Sequence, residues 1–204
     1  MHALGQVVSC SEAPDEADLD GLTRSLNALL GPSIAVTRCS PAHPDFHARF
    51  SARSRTYVYA VLQTRVPDPF LARTALHHPG PLDAAAMTEA AGHLVGRHDW
   101  RSFGRLPEPQ SSAERTLFEL RCAPDGRLLR ITARADGFIQ QMVRSIVGTL
   151  LTVGEGRRSP DELPSLLAAA DRAAAGPVAP AHGLCLVAVE YDQGWSVPLG
   201  GESG

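Results

Sequence analysis

A tight turn flanked by two alternating runs governs the architectures open to this chain. Thr116 to Cys122 leads into Pro124-Asp125-Gly126, and Leu128 to Ala133 follows. This reads as a β-hairpin, because a glycine-bearing turn joins two segments whose side chains alternate across a sheet. The longest helical pattern comes next, Phe138 to about Val153. Ile139, Met142, Val143, Ile146, Val147, Leu150 and Leu151 form a wide apolar stripe along it. A hairpin followed at once by an amphipathic helix puts helix against antiparallel sheet, so the expected class is α+β rather than doubly wound α/β.

Other segments extend this frame. Thr56 to Gln63 is β-branched or aromatic and alternates, with Tyr57, Tyr59 and Val61 on one face and Thr56, Val58, Ala60 and Leu62 on the other. Gly183 to Tyr191 is apolar on both faces and is expected to be a central strand. Gly5 to Cys10 and Ser33 to Arg38 are further strand candidates. A helix capped by Asp18 or Asp20 is expected to run to Leu30 and stop at Gly31-Pro32. A second helix spans Asp83 to Val95, with Gly96 just past its end. Ser159-Pro160-Asp161-Glu162 is a capping box that opens a helix through Leu163, Leu166 and Leu167.

The chain has 204 residues, 44% hydrophobic and 20% charged, as in an ordinary globular protein. No apolar run approaches the ~18 residues of a membrane span. MHALGQVVSC lacks a basic n-region and a signal-like apolar stretch, so a cytoplasmic protein is expected. Cys10, Cys39, Cys122 and Cys185 form no CxxC or CxxH pair, which predicts reduced thiols and no zinc site. No HExxH, Walker loop or GxGxxG is present. A net charge of -3 excludes a surface that binds nucleic acid everywhere, but not a local basic patch. All 19 basic residues are arginine, a bias expected of a GC-rich genome.

Two clusters could carry chemistry. Gln141, Arg144, Ser145 and Gly148 fall on the flank of the long helix opposite its stripe. A cation among small and polar residues suits a cleft wall holding a carboxylate or phosphate, and equally suits a solvated outer face. Residues 47–65 contain Arg49, Arg53, Arg55 and Arg65 with no acid, around Tyr57 and Tyr59. Aromatic rings beside guanidinium groups can hold a nucleic-acid strand and stack an extruded base. Two strand tyrosines packing on a helix would look the same.

Four blocks, HALGQVV (His2 to Val8), DFHARFSARSRTYVY (Asp45 to Tyr59), GFIQQMVRSIVGTLL (Gly137 to Leu151) and APAHGLCLVAVEYD (Ala179 to Asp192), resemble the TruA family of tRNA pseudouridine synthases, in that family's order. The resemblance implies two α+β halves with antiparallel sheets flanking a cleft. It implies an isomerase that acts on the anticodon stem-loop of tRNA as a homodimer, without metal or organic cofactor. Uridine becomes pseudouridine when the N1–C1′ bond is cut, the base turns and C5 joins C1′, on a nucleotide taken out of the stack. Carried over by position, Tyr57 stacks on the extruded base and Arg144 pairs with the catalytic aspartate. Leu186 is a candidate for the apolar floor beneath the base. Arg49, Arg53 and Arg55 are candidates for salt-sensitive contacts to RNA phosphates.

The resemblance also implies departures. The family places HALGQVV directly after G-R-T-D-A-G-V, whose aspartate is the nucleophile. Met1 stands at the valine of that segment, so the aspartate falls upstream of Met1 and the chain by itself is expected to be inactive. Asp15, Asp18 and Asp20 lie past the strand and do not replace it. Gln141 stands where the family often has histidine, and Cys185 where it often has an aromatic. The expected division is an incomplete first half over 1–53, a second half over 54–192 and a loose tail over 193–204. Codon 1 is expected to be GTG, with the start placed too far downstream. The alternative is a non-catalytic RNA-binding remnant.

Overall fold

The computed structural model describes residues 1–11, 18–106, 108, 111–193 and 195. Its strands are β1 (His2–Ala3), β2 (Ala52–Gln63), β3 (Leu76–His78), β4 (Gly96–Asp99), β5 (Glu114–Asp125), β6 (Leu128–Ala135) and β7 (Leu184–Tyr191). Its helices are α1 (Leu19–Leu30), α2 (Ala84–Gly92), α3 (Met142–Gly154) and α4 (Leu163–Ala168). The described chain divides into two compact units. One comprises residues 1–6 and 53–190, and the other the described parts of 7–52 and 191–195.

The hairpin forms as its turn chemistry dictates. Asp125 pairs with Leu128 across Gly126, whose φ of 59° is the left-handed conformation glycine tolerates best. Leu129, Ile131, Ala133 and Ala135 of β6 are all fully buried, so the strand alternates strictly. β2 runs antiparallel to β6, setting Tyr57 opposite Ala133, Tyr59 opposite Ile131 and Val61 opposite Leu129. The strand order is β1-β7-β2-β6-β5-β4, with β3 parallel to the end of β2. Helices α2 and α3 supply Met87, Ala90, Ala91, Met142, Ile146 and Leu150 to the core shared with these strands. An α+β fold whose sheet is antiparallel from β2 through β6 and β5 to β4, with parallel pairs at β1–β7 and β2–β3, is therefore what the chain adopts.

Several elements differ from expectation. Helix α3 begins at Met142, four residues late. Gln141 sits at φ 66°, and the peptide of Gln140 is bridged to Arg105, N–H to O in both directions at 2.9 and 3.2 Å. With the N–H and carbonyl of Gln140 already satisfied in this bridge, the helix does not extend back through it. Helix α2 ends at Gly92, and Gly96 opens β4, which pairs with β5. Ser33 to Arg38 is not a strand: both polar groups of the Val36 peptide bond the Asn27 side chain, at 2.7 and 2.9 Å. Gly5 to Cys10 is not a strand either; the pairing to β7 lies at His2 and Ala3 instead. β7 is an inner strand as expected, between β1 and β2, but it is not buried on both faces. β1 covers it only at Cys185 and Leu186, and of its side chains only Leu184 is buried.

Two local expectations are met at the starts of α1 and α4. Asp18 accepts the Gly21 N–H at 2.8 Å to cap α1. The Ser159 N–H donates to Glu162 at 2.9 Å, and Leu163, Leu166 and Leu167 are buried behind it. Residues 12–17, Asp15 among them, and most of the tail at 193–204 lie outside the described residues. No helix among the described residues is long and apolar enough to cross a membrane.

The buried apolar core lies wholly between Tyr59 and Leu184 among the described residues. In the other unit α1 buries nothing, and Val8, Leu29 and Ile34 are 73%, 80% and 55% exposed. Exposed apolar side chains with no core behind them give little resistance to local opening. Limited proteolysis is expected to cut within 7–52 first and leave a stable fragment beginning near residue 50. Uniform resistance, or one cooperative unfolding transition for the whole chain, would overturn this expectation.

Candidate active site

The face of the sheet carrying α3 holds three of the residues singled out above. Tyr57 and Tyr59 alternate with Val58 on β2, and Tyr59 is fully buried while Tyr57 is half-buried. Val58, Ala60, Cys185 and Val187 line an open groove of about 260 Å³, while Leu184 belongs to the core with Tyr59. By strand alternation the Leu186 side chain thus shares the face of Tyr57. Arg144 stands in the first turn of α3, half-buried.

Tyr57 meets Phe138 edge to face, with ring centroids 5.2 Å apart at 87°. Such a pair contributes about 0.5–1.5 kcal/mol beyond burial and holds the Tyr57 ring in one plane. Burial raises the Tyr57 pKa, opposed by the Arg55 charge. The Arg55 Nη1 donates to the Asp136 carbonyl at 2.6 Å. Arg53 is exposed at the start of the same strand. Arg49 lies in the other unit, exposed, with its guanidinium 5.5 Å from the Phe50 ring centroid.

The Arg144 Nε donates to the Ala179 carbonyl at 2.5 Å, and the Ala179 N–H donates back to the Arg144 carbonyl at 3.0 Å. An arginine fixed at Nε presents its Nη edge as a fork matched to a carboxylate or phosphate. Among the described residues the Nη groups meet no acceptor. The remaining flank of the helix is neither cleft wall nor solvated surface. Ser145 and Gly148 are buried, and a Cβ at Gly148 would overlap the Pro177 carbonyl. Small residues there let the 176–179 segment lie directly on the helix.

The Ser145 Oγ is buried with no hydrogen-bond partner. An unsatisfied buried hydroxyl is destabilising by about 1–3 kcal/mol, and alanine is a better helix former. Ser145→Ala is therefore expected to melt at the parent temperature or a few degrees above it in a thermal scan. A clear fall in Tm would reveal a partner for that hydroxyl.

Tyr59, which the sequence groups with Tyr57 as an aromatic among arginines, lies packed in the core rather than on an exposed stacking face. Its Oη donates to the Pro180 carbonyl at 2.8 Å, and burial pushes its pKa up to about 12, opposed by the Arg144 charge. The carbonyls of Ala179 and Pro180 carry no side-chain signal; only the tyrosine spacing on β2 hinted at the partnership. Among the described residues no three His, Cys, Asp or Glu side chains are grouped as a metal requires.

The same arrangement occurs in a chain with close relatives. Residues 90–192 match the family model described as tRNA pseudouridine synthase. The chain is 43% identical over 211 residues to tRNA pseudouridine synthase A of Chloroflexus aurantiacus, covering 100% of this chain and 76% of that protein. It is 41% identical over 191 residues to that of Moorella thermoacetica, covering 94% and 77%. It is 45% identical over 192 residues to that of Rhodospirillum centenum, covering 94% and 78%. Identity at this level, across nearly the whole chain and more than three quarters of each relative, places the chain in the tRNA pseudouridine synthase A family.

Proposed function

We propose that this chain carries the base-binding and arginine-bearing part of a tRNA pseudouridine synthase that isomerises uridine in the anticodon stem-loop. The observation that carries the reading is the half-buried Arg144, docked at Nε with its Nη edge unengaged among the described residues, above the sheet face of Tyr57 and Leu186. Tyr57 stacks on the extruded base, Leu186 forms the apolar floor, and Arg144 holds the reacting carboxylate ionised. Arg49, Arg53 and Arg55 hold phosphates. The protein acts in the cytoplasm, in keeping with its four free cysteines, as a homodimer. The nucleophilic aspartate belongs to the G-R-T-D-A-G-V segment that precedes this register.

Making the C5–C1′ bond expels the hydrogen on C5, while N1 takes up a proton as its bond to C1′ is lost. A tRNA labelled with tritium at uridine C5 therefore reports turnover as tritium released to water. A chain extended by the family's aspartate-bearing segment is expected to release it from the anticodon arm, and residues 1–204 alone are expected to bind without release. Absence of release by the extended chain would overturn the reading.

Tyr57→Phe is expected to keep tRNA affinity within about twofold, since a phenyl ring offers the same stacking face. Tyr57→Leu is expected to weaken handling of the extruded base by about 1–3 kcal/mol and to lose the edge contact with Phe138 as well. Titration of tRNA in filter-binding and single-turnover formats separates the two. Equal behaviour of Phe and Leu would remove Tyr57 from the stacking role.

A further inference from the structure

The segment from Gly176 to Gly183 runs between α3 and the sheet and is fastened at Gly176, Ala179 and Pro180. The Gly176 N–H donates to the Thr149 hydroxyl at 3.0 Å, and the Ala179 N–H to the Arg144 carbonyl at 3.0 Å. A Cβ at Gly176 would stand 2.8 Å from the Thr149 Cα, so the two backbones touch. On the sheet side Tyr59 is the fastener. Its hydroxyl donates to the Pro180 carbonyl at 2.8 Å, and its ring lies where a Cβ on Gly183 would come within 2.7 Å of Cζ. The corner at Ala179–Pro180 is thus held from one side by Tyr59 and carries on the other the carbonyl that seats the Arg144 Nε. A guanidinium is planar, so the direction of its Nε–H bond fixes where both Nη groups face.

We propose that Tyr59 is a positioning residue for Arg144: by holding the Pro180 carbonyl it fixes the adjacent Ala179 carbonyl, and with it the orientation of the guanidinium toward the reacting carboxylate. This rests on the reading of Arg144 as the carboxylate's partner. The phenol keeps its proton throughout the working pH range, because burial pushes its pKa up to about 12. The fastener is therefore a constant donor rather than a switch. Removing the hydroxyl alone leaves the ring against Gly183 and loosens only the corner.

The test uses the extended chain and the variants Tyr59→Phe, Arg144→Lys and the double variant. Tyr59→Phe is expected to slow single-turnover tritium release by about tenfold, as loss of one well-aligned hydrogen bond allows, with tRNA affinity unchanged. Arg144→Lys, which cannot make the same planar seat, is expected to slow it further. The double variant is expected to match Arg144→Lys alone, because Tyr59 acts through the arginine. In a ¹⁵N NMR spectrum the Arg144 Nε–H is expected to be protected from exchange in the parent and to lose that protection in Tyr59→Phe. An additive double variant, or an Nε–H unaffected by Tyr59→Phe, would overturn the positioning role while leaving the reading of Arg144 intact. A normal rate for Arg144→Lys would overturn both.

Discussion

Arg144→Ala, in a chain carrying the family's aspartate, is expected to lower the single-turnover rate by about 100- to 1,000-fold. That is the magnitude associated with removing one partner of a desolvated charge pair. Affinity for tRNA is expected to change by less than about twofold, because a single group docked by its Nε to Ala179 contributes little to the phosphate contacts that dominate RNA binding. The split follows from where Arg144 sits. It is half-buried in the first turn of α3, whereas Arg53 lies exposed on β2. On the proposed pairing, loss of the positive charge also raises the pKa of the reacting carboxylate. The acid limb of the rate–pH profile is then expected to move to higher pH in the variant. A uniform loss of tRNA affinity with a normal single-turnover rate would assign Arg144 to phosphate binding instead.

The division between legible and hidden features follows the range of the interactions that set them. The β5–β6 hairpin, the capping box at Ser159 and the alternation of β2 are encoded within a few residues each, and each forms where expected. The start of α3 is decided by Arg105, thirty-odd positions upstream, which takes the Gln140 peptide into a bridge. The Val36 peptide is claimed by the Asn27 side chain, and no local pattern announces that. The site divides in the same way. Arg144 stands out as a lone cation on an apolar helix, and Tyr57 as an aromatic among arginines. Leu186 looks like any strand leucine, and only the resemblance to the family singled it out. The seat beneath Arg144 is a backbone carbonyl, which every residue possesses, so its position depends on the fold alone. Gly148 and Ser145 are ambiguous in the sequence for a related reason: small residues opposite an apolar stripe fit an open flank as well as a seam packed against another backbone.

That seam supplies the largest expected effect on stability. A Cβ at Gly148 would overlap the Pro177 carbonyl oxygen and stand 2.8 Å from its carbon. Neither neighbour can yield easily, since Pro177 lies between Gly176, bonded to Thr149, and Ala179, bonded to Arg144. Gly148→Ala must push the segment off α3 or bend the helix, and overpacking of this kind is destabilising by about 3 kcal/mol or more. In a domain of this size that lowers Tm by about 6–12 °C. Gly92→Ala is the matching control. It ends α2, nothing lies within 4 Å of its Cβ position, and the helix gains propensity, so its Tm is expected to stay level or rise. Trp100 is fully buried in the same unit and reports the transition by fluorescence. Because the displaced segment also seats Arg144, Gly148→Ala is expected to slow turnover in the extended chain below its melting range, although Gly148 touches no substrate. Equal melting of Gly148→Ala and the parent would mean that the segment does not rest on α3 as described, and the seat for Arg144 would have to be sought elsewhere.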